Sequence, residues 1–281
     1  MLAALLLISL QKTSVRVGPF LFTRKNESTV TVRNSIIHFE FEANGGNNPC
    51  LPVYSKQADT LVVASAGAFG AFDSTGGVLW SVETAYPYNP VRLVAGSTIV
   101  VATDGPMSTG TPSAYRTYTE WKKVMDHAER TKAYNLRTGR LVWDKPWTLV
   151  GTPLTALRGD ELLSLSFDPE ASYRGVYRRF QLLRINGSTG AVIGGWAVPE
   201  RLEGLSLSEF FRTPSTVWKP VGTGQAFDLH EREGDFEFSD VPKRSGVRGR
   251  VTVGADGSLR IRIERHGRAS MWSSPHRKWV T

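Results

Sequence analysis

The amino-acid sequence predicts an all-β fold assembled from a repeated unit. Two observations carry this: short β-branched or aromatic runs separated by turn residues along most of the chain, and one compact pattern that returns twice. The pattern is first met as AFDSTGGVLW at 71–80, returns as AYNLRTGRLVW at 133–143, and comes back more loosely as RINGSTGAVIGGW at 184–196. Each copy sets an Asp or Asn before a Thr-Gly pair and a Trp after it: Asp73, Thr75, Gly76 and Trp80; Asn135, Thr138, Gly139 and Trp143; Asn186, Thr189, Gly190 and Trp196. Self-similarity at long spacing marks one supersecondary unit per copy, not one site.

The elements follow in order. TVTVRNSIIHFEFEANGG (29–46) gives two runs split at Asn34-Ser35, and TLVVASAGAFGAFDSTGGVLWSVE (60–83) gives three separated by Gly and by Ser-Thr-Gly-Gly. PVRLVAGSTIVVATDG, DELLSLSF, YRRFQLLRI and RVTVGADGSLRIRIERHG continue the pattern. One stretch breaks it. In YTEWKKVMDHAERTK, Trp121, Val124, Met125 and Ala128 recur at helical spacing with Thr119 placed to cap, which predicts a short amphipathic helix inserted between consecutive strands.

The repeats resemble the PQQ-like (quinoprotein-dehydrogenase-like) β-propeller family, whose blades carry Ala-Leu-Asp-x-x-Thr-Gly-x-x-x-Trp. Ala133–Trp143 fits at full spacing, with Tyr134 for Leu and Asn135 for Asp; the first copy lacks one residue between Asp73 and Thr75, and the third has two extra between Gly190 and Trp196. The resemblance covers about residues 51–198. It implies a β-propeller of four-stranded blades, five or six in number, with the segments outside the repeats each supplying a hairpin that could join the ends of the ring. The turn chemistry supports the unit independently: an Asx side chain accepts backbone amides, Thr adds a contact, Gly takes the positive φ of a tight hairpin, and the Trp buries a large area against the next blade.

Composition bounds the rest. In 281 residues, 41% apolar and 21% charged, a packed domain is expected. The lone cysteine, Cys50, rules out an intramolecular disulfide, a Cys-based zinc site and the adjacent cysteines of many quinoprotein enzymes. The apolar run Leu2–Leu10 is too short to span a bilayer and lacks a basic start and a small-residue cleavage site, so residues 1–18 are set apart as an atypical signal or anchor and 19–281 as one domain. The net charge of +8 sits wholly in the chain after Asp240, where Lys243, Arg244, Arg248, Arg250, Arg260, Arg262, Arg265, Arg268, Arg277 and Lys278 face only Asp256 and Glu264. An acidic run, Asp228–Asp240, precedes it.

No metalloprotease, Walker, nucleophile-elbow or EF-hand pattern occurs, and His38, His127, His230, His266 and His276 are scattered. No catalytic, cofactor or metal set is expected; His230 among acids reads as part of a solvated loop before it reads as a base or ligand. Strand alternation places Arg248 with Arg250, and Arg260 with Arg262, on one sheet face, with Val251, Val253, Leu259, Ile261 and Ile263 toward the core. That face is either a solvated, edge-protecting surface or an anion-binding patch for a protein, anionic lipid or nucleic acid. The expected function is a monomeric, non-catalytic propeller binding a protein partner outside the cytoplasm, in the bacterial envelope. The alternatives are an enzyme with a site in the central depression, and a cytoplasmic location.

Overall fold

The computed structural model describes residues 14–25, 29–42, 52–65, 68–83, 92–104, 114–174, 179–207, 216–221, 225–231 and 247–274. Their strands fall into sheets that follow one another along the chain, each an antiparallel meander. The first sheet is β1 (Ser14–Val17), β2 (Phe20–Arg24), β3 (Thr29–Arg33) and β4 (His38–Glu42). The second is β5 (Val53–Ser55), β6 (Thr60–Ser65), β7 (Ala68–Asp73) and β8 (Val78–Glu83). The third is β9 (Arg92–Ala95), β10 (Ile99–Asp104), β11 (Arg130–Asn135) and β12 (Leu141–Pro146). The fourth is β13 (Thr152–Ala156), β14 (Glu161–Phe167), β15 (Arg179–Asn186) and β16 (Ala191–Pro199). A small hairpin, β17 (Arg201–Leu202) with β18 (Leu205–Ser206), leads to the fifth sheet: β19 (Thr216–Pro220), β20 (Ala226–Glu231), β21 (Val247–Val253), β22 (Leu259–Arg265) and β23 (Arg268–Ser273). The fold is a β-propeller of five described blades.

Four apolar clusters hold successive sheets together. Phe20, Phe22, Val30 and Val32 of the first sheet pack on Leu61 and Val63 of the second. Val62, Phe69, Ala71 and Trp80 of the second meet Leu93, Val100 and Tyr134 of the third. Ile99, Val101, Ala133 and Trp143 of the third meet Leu162, Leu183 and Ile185 of the fourth. Leu163, Leu165, Leu182 and Trp196 of the fourth meet Val251, Leu259, Ile261 and Ile263 of the fifth. Period-two alternation explains the arrangement: side chains of one parity face the preceding sheet and those of the other face the next, so an interior blade must be apolar on both faces.

The end blades are not. On the first sheet, the face turned away from the second carries exposed Arg16, Arg33, His38 and Glu40; on the fifth, the face turned away from the fourth carries exposed Arg248, Arg250, Arg260 and Arg262. Among the described residues no apolar cluster joins the fifth sheet to the first. End units of a repeat array need such polar outer faces.

Several expectations need correction. The terminal segments supply whole blades, not single hairpins, and the last blade has five strands because β23 adds to β22. β1 lies within residues 1–18, so that segment contributes the first strand. Among the described residues there are three helices, not one: α1 (Tyr118–Ala128), α2 (Trp147–Val150) and α3 (Pro169–Tyr173). The cap of α1 is Thr117, whose hydroxyl accepts from Glu120 N, and not Thr119; the helix starts two residues earlier than a cap at Thr119 would give, and Tyr118 in its first turn packs against Trp121 and Tyr173. Only Trp121 and Met125 are buried on it, while Val124 faces out. Cys50 and residues 232–240 of the acidic run lie outside the described residues.

Candidate functional site

The repeat motif places the blades. In each turn between third and fourth strands an Asx oxygen gathers donors: Asp73 Oδ1 accepts from Thr75 N at 2.9 Å, Thr75 Oγ1 at 2.6 Å and Gly77 N at 2.9 Å. Asn135 Oδ1 accepts from Arg137 N, Thr138 N and Thr138 Oγ1 at 3.0–3.1 Å, and Asn186 Oδ1 from Ser188 N and Thr189 N at 3.0 and 3.2 Å. The Thr75 hydroxyl, then the Gly77 amide, hold the Asp73 carboxyl below its ordinary pKa.

The Trp then reaches the next blade's turn. Trp80 Nε1 donates to Leu136 O at 2.8 Å, Trp143 Nε1 to Gly187 O at 2.5 Å and Trp196 Nε1 to Gly257 O at 2.8 Å. In every case the acceptor is the residue after the Asx. The indole also lies on the turn glycine: a Cβ at Gly139 would sit 2.7 Å from the Trp80 ring, and one at Gly190 2.8 Å from that of Trp143. These glycines have φ of +66° and +69°, so both conformation and the tryptophan above exclude a side chain.

Two further copies carry no Thr-Gly signature. In the first sheet, Asn34 Nδ2 donates to Ser74 O at 2.8 Å, the carbonyl after Asp73, while Ile37 lies on Gly76 as the indoles do on theirs. The amide and the isoleucine together replace one tryptophan. In the fifth, Asp256 Oδ1 accepts from Ser258 N and Oγ in a shorter turn that receives Trp196. The signal in the sequence is an Asx followed within two residues by Ser or an apolar residue, too common to single out.

The arginines lie together as alternation requires. Arg250 stands directly opposite Arg262, Arg248 opposite Glu264 and Arg260 opposite Thr252. Of the acidic run, Asp228 meets Arg250: its Oδ1 accepts from Nε at 2.7 Å and its Oδ2 from Nη2 at 3.3 Å. This hydrogen bond and its charge raise the Arg250 pKa above the ordinary arginine value. His230 lies in β20 with its backbone opposite Arg248. Among the described residues no group of three or more His, Cys, Asp or Glu could hold a metal ion.

A second surface was not foreseen. Exposed Ile36, Val78, Leu141, Val142 and Ile193 all stand within two residues of the start of the fourth strand of the first four sheets, ahead of the Trp or its Ile37 substitute. Val78 is 68% exposed and Ile36 70%. In three of these sheets the register slips there, between Ala71 and Phe72, Ala133 and Tyr134, and Arg184 and Ile185. Each bulge lets the Trp turn inward while an apolar neighbour is left outward. The result is one apolar side chain or pair left in solvent on each of the first four sheets.

No family model matches the chain, and no curated protein matches it. Solved structures do. The structure of BamB from Moraxella catarrhalis aligns with a TM-score of 0.40 at 11% identity over 93% of this chain and 87% of that one. Hsv2 from Kluyvelomyces marxianus gives 0.43 at 10% identity over 96% and 73%. A chain of the Mitotic Checkpoint Complex gives 0.43 at 11% identity over 89% and 59%, so this chain spans less than two thirds of that one. None reaches a TM-score of 0.5, and the reading of function rests on this chain's own residues. No helix among the described residues is long and apolar enough to cross a membrane.

Proposed function

We propose that the chain is a non-catalytic, PQQ-like β-propeller that binds a protein partner, in the envelope of a bacterial cell. The carrying observation is the set Ile36, Val78, Leu141, Val142 and Ile193, one or two apolar side chains left in solvent around the start of the fourth strand of four successive blades. Single exposed apolar residues are ordinary, but recurrence in one region of successive blades makes a row that an extended segment or a neighbouring fold could cover. Its apolar character suits a protein partner better than a polar substrate. The apolar run Leu2–Leu10 supports export, though it lies outside the described residues.

The test is photocrosslinking from positions 78, 141 and 193, one at a time, in cells that express the chain. The reading expects a discrete protein adduct from all three positions, its loss from each position when the other two of Val78, Leu141 and Ile193 are changed to Ser, and recovery of the adduct in an extracytoplasmic fraction. Absence of any adduct, or turnover of a small molecule by the purified chain, would overturn it.

A further inference from the structure

We propose that the outer face of the fifth sheet is a second contact surface, built for a protein segment that presents carboxylates on alternate residues of an extended strand. The proposal rests on the reading of the chain as a protein-binding scaffold and names the chemistry of what is bound at one end of the array.

The face is where the next blade would pack. In the second, third and fourth sheets the corresponding face carries Trp80, Trp143 and Trp196, each sunk into the following sheet. In the fifth it carries Arg248, Arg250, Arg260 and Arg262, all exposed, while the side chains between them (Val251, Leu259, Ile261, Ile263) are buried against the fourth sheet. Solubility alone asks for polar residues here, but not for four of one sign on two paired strands, where Arg250 and Arg262 face each other.

The face also displays the contact it would make. Asp228 engages Arg250 through two oxygens and two guanidinium nitrogens, the forked pairing that Arg forms with carboxylates. Arg260 and Arg262 have no partner among the described residues. They sit two residues apart on one strand, roughly 7 Å, the repeat of side chains along one face of an extended peptide. A partner strand with acids at alternate positions can therefore meet both, with Thr252 and Ser273 beside Arg260 as hydroxyl neighbours.

Other anions suit the face less well. Asp228 and Glu264 lie within it and would repel the dense, continuous charge of a polynucleotide or an anionic bilayer. Its one large exposed apolar side chain among the described residues is Met271, opposite Arg262, and no Phe, Tyr or Trp ring of those residues stands on it for bases to stack against. A second copy of the same face would set arginine against arginine.

The experiment uses the full chain and a labelled synthetic peptide alternating Glu with Thr, with oligothymidine and phosphatidylserine vesicles as the competing classes, each titrated at low and physiological salt. The expected result is saturable peptide binding that weakens with salt, falls at least about tenfold in Arg260→Glu/Arg262→Glu, and tightens about twofold to fivefold in Asp228→Asn, which releases Arg250. Thermal unfolding of both variants checks that each stays folded, and the opposite directions of the two changes separate a surface effect from damage to the fold. Peptide binding indifferent to both changes, tighter binding of oligothymidine or vesicles than of peptide, or no binding of the peptide overturns the proposal. Each of these leaves the crosslinks from the apolar row to decide the scaffold reading by themselves.

Discussion

In β14 of the fourth sheet, six consecutive residues from Leu162 to Phe167 are buried; in β22 of the fifth, Leu259, Ile261 and Ile263 are buried but Arg260 and Arg262 between them are exposed. Both are antiparallel strands flanked on both sides by paired neighbours, so hydrogen bonding does not separate them. The difference is what lies across each face. A sheet between two others must satisfy two apolar contacts and loses the alternation that marks a half-buried strand, whereas a sheet at the end of the series keeps it. Position in the series, more than strand propensity, sets the pattern.

The sharpest way to break this comparison is a parity test. Leu162→Lys and Leu163→Lys point to opposite faces of β14, and both should abolish folding, each costing more than about 4 kcal/mol by burying an unpaired charge. In β22, Ile261→Lys should do the same, while the adjacent Arg262→Ser should leave thermal stability within about 0.5 kcal/mol. Comparable losses at Ile261 and Arg262 would mean that another structure covers the arginine face.

Next in size is the contact that joins the two sheets. Trp196→Ala should destabilise by about 3 to 5 kcal/mol in urea unfolding, and Trp196→Phe by about 1 kcal/mol more than its lost area explains, since the phenyl ring leaves Gly257 O without its donor. A smaller loss, roughly 1 to 3 kcal/mol, is expected for Gly190→Ala, which combines an unfavourable positive φ with a clash against Trp143.

The smallest effect concerns acid. Because the folded state holds the Asp73 carboxyl below its unfolded value of 3.8, its stabilisation is complete above that pH and is lost as pH falls through the lower folded value. Asp73→Asn should keep the accepting oxygen, as Asn135 and Asn186 do, and remove this part of the acid sensitivity. A urea midpoint in the variant that still falls as steeply below pH 3.8 would assign the sensitivity elsewhere, with Asp59, held low chiefly by the Ser74 hydroxyl, the next candidate.

The all-β class, the blade unit and the inward set Val251, Val253, Leu259, Ile261 and Ile263 were legible because turn chemistry and alternation are local. So was the grouping of the four arginines. What escaped notice depends on contacts across sheets. Asn34 with Ile37 does the work of a tryptophan, but nothing in RNSII announces it until Ser74 and Gly76 are in place. Val78, Leu141 and Ile193 carry no local mark that sets them apart from buried strand residues; a bulge beside each turn leaves them outward, and bulges leave no compositional trace. Thr117 and Thr119 are equally good caps by type, and the packing of Tyr118 on Trp121 shows only once the chain is folded.

The reach of each Trp into the following turn is directional. The plugs of the second and third units enter the third turns of the units that follow by the same donor, acceptor and glycine seat, while Asn34 with Ile37 makes the first joint another way. A joint so standardised does not depend on which two units meet, so blade number becomes a matter of how many cassettes the gene holds, with the arginine face and β23 acting as the stop. Copying the third unit in tandem would lengthen the protein by one blade without a new interface having to be invented.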